Sequence, residues 1–175
     1  MRPAWQSAPP WRRPADPNSL RTMSDGRLAA LRRGEPAENL LAETPSGFAV
    51  FGDHQKLPGY CLLIHRGDAE HLDDLDEPSR MQFLRDFSLL GQAVRTALRE
   101  DPGFRRINYE ILGNSWPHLH GHVHPRYEWE PDEYRSKPVW RYPDLEAPEH
   151  TAGPAHADLQ ERITRELQVL LAGGI

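Results

Sequence analysis

The chain has 175 residues, of which 38% are hydrophobic and 27% charged, a balance typical of one globular domain. Its 21 basic and 26 acidic residues give a formal net charge of -5, so its charge does not favour nucleic acid as a partner. Cys61 is the single cysteine, which excludes an intrachain disulfide and a cysteine-rich zinc site. No stretch approaches the ~20 apolar residues of a membrane span, so we expect no membrane partner and a cytoplasmic location.

The amino-terminal segment is rich in proline. Five of the first 22 residues are proline, which argues against a helix or an interior strand there. We expect residues 1–22 to form a flexible, extended tail, in which Trp5 and Trp11 could dock on a neighbouring surface.

A short helix is predicted directly after the tail, over residues 24–34. Ser24 or Asp25 can cap its first turn, and Gly34 can end it. Two β-prone apolar runs follow, at 48–53 and 59–66, and the hairpin-length connection between them predicts a pair of antiparallel strands.

The next elements complete an α+β pattern. Apolar residues at spacings of three and four predict a long amphipathic helix from Pro78 or Ser79 to about Glu100. Strands are expected at 104–112 and 118–124, the second of them ended by Pro125.

A segment rich in proline and aromatic residues then wraps the domain, and a last helix runs over about 155–171. We therefore predict an α+β fold with a mostly antiparallel sheet, one long packed helix and a carboxy-terminal helix. The predicted domain covers residues 23–145, and residues 146–175 form a linker and the last helix.

Four of the nine histidines stand at every second position of the segment PHLHGHVHPRY: His118, His120, His122 and His124. Because side chains alternate between the two faces of a strand, these imidazoles should share one face. Gly121 then falls on the opposite face, where its missing side chain would let the long helix approach closely.

Three interpretations of this histidine row are open. A zinc ion could use two neighbouring histidines, but those four positions apart are ~13 Å from each other, and a third ligand would have to come from His65, His71 or Asp53. The row could also be an exposed surface without a role. In the third interpretation a neutral imidazole attacks phosphorus, which requires that its other ring nitrogen donates a hydrogen bond.

The stretch GNSWPHLHGHVHPRY resembles the signature of the histidine triad (HIT) family, in which three histidines alternate with apolar residues. Upstream, FAVFGDHQKLPGYCLLIHRGDAEHLDDL is similar to the first half of that family, including a Pro-Gly-His-like step at LPGY. The resemblance spans about residues 45–130 and is greatest to a bacterial branch similar to diadenosine-polyphosphate hydrolases.

The resemblance implies a homodimer with the α+β fold, and a two-step nucleotidyl transfer that needs no cofactor or metal. His120 falls on the nucleophile, which takes a nucleoside monophosphate as a phosphoramidate. His118 and His122 fall on its flanking partners, and Ser115 falls on a hydroxyl that contacts the phosphate or the leaving group.

The resemblance also implies three substrate-binding positions. Asn108 falls on an asparagine that binds near the phosphate, and Asn114 replaces a glutamine of the family pattern. Asp53 lies near a position that contacts the ribose, and we assign the apolar Phe51 to the base pocket.

Two departures from the family pattern bear on specificity. Trp116 and Pro117 stiffen the turn before the row, and His124 stands where the family has an apolar residue. We expect a nucleotide hydrolase or nucleotidyl transferase that acts on a purine nucleoside phosphate, as a dinucleoside polyphosphate hydrolase or a nucleoside phosphoramidase. A non-catalytic nucleotide-binding protein and a metal-dependent hydrolase remain as alternatives.

Overall fold

The structure, a computed structural model, describes residues 17–173 and the side chains of residues 24–173. Trp5, Trp11 and most of the predicted tail lie outside the described residues. The strands are β1 (Leu40–Glu43), β2 (Gly47–Phe51), β3 (Cys61–His65), β4 (Phe104–Glu110) and β5 (His120–Tyr127). The helices are α1 (Pro17–Arg32), α2 (Glu77–Ala97), α3 (Asp132–Arg135) and α4 (Ala157–Ala172).

The five strands form one antiparallel sheet in the order β1-β2-β3-β5-β4. The predicted α+β class, the β2–β3 hairpin and the long helix are therefore confirmed. No helix in the described part of the chain is both long and apolar enough to cross a membrane.

Helices α2 and α4 cover one face of the sheet, where the larger hydrophobic core lies. A Cβ atom added at Gly121 would lie 2.7 Å from the ring of Phe87 on α2, so the close approach expected at this glycine is confirmed. Leu159, Ile163 and Leu167 of α4 enter the same core, which joins the carboxy-terminal helix to the rest of the fold.

Helix α1 covers part of the opposite face, where Leu28 and Leu31 pack on Phe48 and Val50 of β2. This helix begins at Pro17, so the expected start at residue 24 was wrong and residues 17–22 are not an extended tail. Proline is tolerated in the first turn of a helix because the amide hydrogens there have no intrahelical acceptor.

Two further differences from the prediction concern strands. β1 was not predicted: it has only four residues and is defined by its pairing with β2. β5 continues through Pro125 to Tyr127, although we expected it to stop there. Since β3 pairs only as far as Val123, β5 has a single neighbour at Pro125, a setting in which a strand tolerates proline.

The segment after β5 wraps the domain in short helical turns, as expected. The buried Arg126 guanidinium binds the Glu130 carboxylate at 2.7 Å through Nη2. Nη2 also donates to the main-chain oxygen of Tyr134, and Nη1 donates to that of Lys137. The Tyr142 hydroxyl also donates to Glu130, at 2.9 Å. This network holds the segment against the end of β5.

Candidate active site

Strand β5 places His120, His122 and His124 on the sheet face opposite α2, and His118 precedes them. All four side chains are buried, with 4–7% of each residue exposed. The interpretation of the row as an exposed surface is therefore wrong. Aromatic rings of Tyr60, Trp116 and Trp140 cover it instead.

His120, His122 and His124 border a cavity of about 600 Å³. Its floor is formed by β3 and β5, one side by α1 and the turn before β5, and the other by the segment around Trp140. A cavity of this size lies within the ~300–1,000 Å³ range of small-molecule sites.

A main-chain oxygen determines the tautomer of His120. Its Nδ1 lies 2.6 Å from the carbonyl oxygen of His118. A carbonyl oxygen only accepts hydrogen bonds, so Nδ1 carries the proton and Nε2 keeps a free lone pair. Burial lowers the pKa of His120, which keeps its imidazole neutral. These are the two properties that an imidazole needs in order to attack phosphorus.

His118 connects the row to its surroundings. Its Nε2 donates to the main-chain oxygen of His65 at 2.8 Å, and its ring stacks on Trp116 with the centroids 4.7 Å apart. The Trp116 indole in turn donates to Asp25 of α1 at 2.7 Å. Asp25, which we expected to be a helix cap, therefore ties α1 to the turn before the row.

His122 and His124 share the ring of Tyr60. The Tyr60 hydroxyl lies 2.7 Å from Nδ1 of His122, and its ring stacks on His124 with the centroids 4.2 Å apart. Burial lowers the pKa of His122 to about 3. Burial also lowers the pKa of His124, whose Nε2 is buried without a hydrogen-bond partner among the described residues.

The sequence matches the family model of the HIT domain over residues 33–129, more than half of the chain. The chain belongs to the HIT domain family. No curated protein matches it.

Solved structures of HIT proteins share the fold. A histidine triad protein from Bradyrhizobium japonicum has a TM-score of 0.61 at 22% identity, with 73% of this chain and 89% of that chain covered. A hypothetical histidine triad nucleotide-binding protein from Sulfolobus tokodaii has a TM-score of 0.57 at 19% identity, with 82% of this chain and 93% of that chain covered. A zinc-bound histidine triad family protein from Mycobacterium smegmatis has a TM-score of 0.55 at 17% identity, with 87% of this chain and 99% of that chain covered.

The structure brings most of the proposed site residues of this HIT domain together. Asn114, Ser115 and Asp53 line the cavity together with His120 and His122. His118 is not part of the cavity lining, but its carbonyl oxygen accepts the hydrogen bond from Nδ1 of His120.

Two of the proposed substrate-binding residues do not line the cavity. Asn108 of β4 pairs with His124 and so lies on the same sheet face, but it is not part of the cavity lining. Phe51 pairs with Cys61 and is buried in the core beneath α2 and α4. The structure therefore gives no support to Phe51 as part of a base pocket.

Sequence reasoning missed several residues that line the cavity, among them Arg27, Lys56 and Tyr60. Arg27 pairs with Asp53 and Lys56 with Asp144, at 2.7 and 2.8 Å. Only Tyr60 had a signal in the sequence, since it ends the Pro-Gly-His-like step. Among residues 24–173, no three histidine, cysteine or acidic side chains are arranged to hold a metal ion.

Proposed function

We propose that this HIT protein cleaves a nucleoside-monophosphate anhydride, ester or phosphoramidate through a covalent nucleotidyl intermediate on His120. The observation that carries the proposal is the 2.6 Å hydrogen bond from Nδ1 of His120 to the His118 carbonyl oxygen. It leaves the Nε2 lone pair of a neutral ring free at the floor of a cavity.

The reaction has two steps. In the first, Nε2 of His120 forms a bond to phosphorus, and the bond from phosphorus to the leaving group breaks. His122 donates a hydrogen bond to the departing oxygen or nitrogen, which takes its proton from water. In the second, water attacks phosphorus, the bond from His120 to phosphorus breaks, and the proton of the water is released to the solvent. Nucleoside monophosphate is released and His120 returns to its starting form.

Polar and apolar parts of the cavity fit the two parts of a nucleotide. Ser115 and Asn114 can donate hydrogen bonds to phosphate oxygens beside the row, and such donors stabilise the charge of the transition state. Leu62 and Ile64 of β3 supply an apolar surface on the floor for the base. The name of the Sulfolobus tokodaii neighbour, a histidine triad nucleotide-binding protein, agrees with a nucleotide ligand.

The test uses a fluorogenic adenosine phosphoramidate and a diadenosine polyphosphate as substrates, each with and without a chelator. The wild type should turn over at least one of them in both conditions. The variant His120→Ala should lose turnover by on the order of 10⁴-fold or more, because the attacking nitrogen is missing. His71→Ala removes an exposed histidine outside the cavity and should keep the wild-type rate.

Mass spectrometry of acid-sensitive adducts in quenched reactions adds a direct readout. The nucleoside monophosphate should be attached to the peptide that contains His120. Turnover without this adduct, or an adduct on another residue, contradicts the proposal. Loss of turnover with the chelator would support a metal-dependent hydrolase, and binding without turnover would support a nucleotide-binding protein.

We also propose that the protein is a homodimer. β4 is an edge strand of the sheet, and unpaired edges readily join a second copy. Three large apolar side chains on or just after β4 are more than a third exposed: Tyr109, Ile111 and Leu112. Light scattering should give twice the monomer mass of 20.0 kDa, and Tyr109→Glu should shift the protein towards the monomer.

A further inference from the structure

The fold gives Tyr60 a fixed place beside the histidine row. Tyr60 directly precedes β3, and its main-chain oxygen accepts hydrogen bonds from the Gly52 amide at 2.9 Å and from Gln55 Nε2 at 3.0 Å. A Cβ atom at Gly52 would lie 2.2 Å from the Tyr60 ring, so only glycine leaves room for the phenol there. The ring is stacked on the other side by His124.

The hydroxyl of Tyr60 has one hydrogen-bond partner among the described residues, Nδ1 of His122. Burial raises the pKa of Tyr60, and the negative charges of Asp53 and Glu146 near it act in the same direction. The phenol therefore keeps its proton. Glu110 also raises this pKa, so none of the groups that shift it favours the ionised form of Tyr60.

Two arrangements of this hydrogen bond are possible with a neutral His122. If Nδ1 of His122 donates, the hydroxyl hydrogen of the half-buried Tyr60 has no protein acceptor among the described residues. If the hydroxyl donates, its hydrogen is satisfied and the His122 proton moves to Nε2. The second arrangement is favoured, and it places the N–H donor on Nε2, the His122 ring nitrogen that is not hydrogen-bonded to Tyr60.

We propose that Tyr60 is a positioning residue that holds the proton of His122 on Nε2, opposite to the tautomer of His120. Two neighbouring histidines then differ in role: Nε2 of His120 carries a lone pair and Nε2 of His122 donates a hydrogen bond. The inference deepens the proposed function and rests on it for the catalytic role of His122. The tautomer itself can be measured without substrate.

The first test is nuclear magnetic resonance of the whole protein with ¹⁵N-labelled histidine, at pH 7.5. The spectra identify which ring nitrogen is protonated, and the signals of His122 are those lost in His122→Gln. In the wild type the proton should be on Nε2 of His122. In Tyr60→Phe the Nδ1 signal should shift, because it loses its hydrogen bond. A His122 proton on Nδ1, or identical His122 signals in both proteins, overturns the inference even if the enzyme is active.

The second test compares the kinetics of Tyr60→Phe with those of the control Tyr127→Phe. Tyr127 donates a hydrogen bond to the Pro58 carbonyl oxygen, which the control also loses, but it does not line the cavity. Tyr60→Phe should lower kcat about tenfold for a substrate with a poor leaving group, since the polarised N–H of His122 is lost. KM should change by less than about twofold. Tyr127→Phe should keep the wild-type kcat.

Thermal unfolding of each variant separates this effect from a loss of folded protein. An unchanged kcat in folded Tyr60→Phe contradicts the catalytic part of the inference. If the wild type has no turnover at all, the proposed function fails, while the resonance experiment still decides the tautomer.

Discussion

The burial of the histidine row should make the protein sensitive to acid, and His122 allows the size of this effect to be worked out. An unfolded chain binds a proton at each histidine near pH ~6.5. The folded chain keeps His122 neutral, because burial lowers its pKa to about 3. As the pH falls below ~6.5, the unfolded state therefore binds a proton that the folded state does not, and the free energy of unfolding decreases.

At pH 5 the difference for His122 amounts to about 2 kcal/mol, since each pH unit below ~6.5 contributes ~1.36 kcal/mol. The loss continues as the pH falls towards the folded-state pKa of about 3 and then levels off. The pKa values of His118, His120 and His124 are lowered as well, so they act in the same direction.

Urea unfolding between pH 8 and pH 5 measures this effect. In His122→Gln the decrease in the free energy of unfolding should be smaller by about 2 kcal/mol than in the wild type, because glutamine does not titrate. His71→Gln removes an exposed histidine as the matched control. Equal pH dependence in the wild type, the control and His122→Gln would refute the reasoning.

Three further substitutions test buried contacts of the core and of the row. Gly121→Ala places a Cβ 2.7 Å from the ring of Phe87 and should cost about 1–3 kcal/mol in urea unfolding; Phe87→Leu in the same chain should recover part of it. Asp86→Ala removes the acceptor of the Ser46 amide and hydroxyl, at 2.9 and 2.6 Å, and should cost about 3 kcal/mol in the same assay. A loss below about 1 kcal/mol in either protein would contradict these contacts. His124→Leu removes a buried Nε2 without a partner in the described structure and should raise the free energy of unfolding by about 1 kcal/mol; a lower value would contradict this reading.

Local patterns in the sequence were sufficient for the elements that have strong periodicity. The apolar spacing of α2 and the alternation of the histidine row each depend on neighbours within a few residues. The start of α1 was missed because Pro17 was counted as a helix breaker, although proline fits the first turn. β1 was missed because four residues with a mixed pattern show little until β2 pairs with them.

The misplacement of Phe51 has a related cause. All five residues of β2 are buried, so the strand shows no alternation from which its two faces could be told apart. Pairing with β3 decides the question, since Phe51 lies opposite Cys61 in the core while Val50 lies opposite Leu62 at the cavity. This register is a tertiary property that a uniformly apolar run does not encode.

The hydrogen bonds of the four histidines show why the motif predicts the nucleophile but not the rest of the site. His120 donates to the carbonyl oxygen two residues before it, so its tautomer follows from the conformation of the strand itself. His122 depends on Tyr60, which is 62 residues away in the sequence. The main chain therefore fixes the tautomer of His120, whereas a distant side chain fixes that of His122. A sequence that keeps the row can keep its nucleophile while the hydrogen-bond donor at His122 is altered. The leaving-group chemistry of a HIT protein is therefore expected to vary with residues outside the triad, such as Tyr60, which forms a hydrogen bond with His122 in this fold.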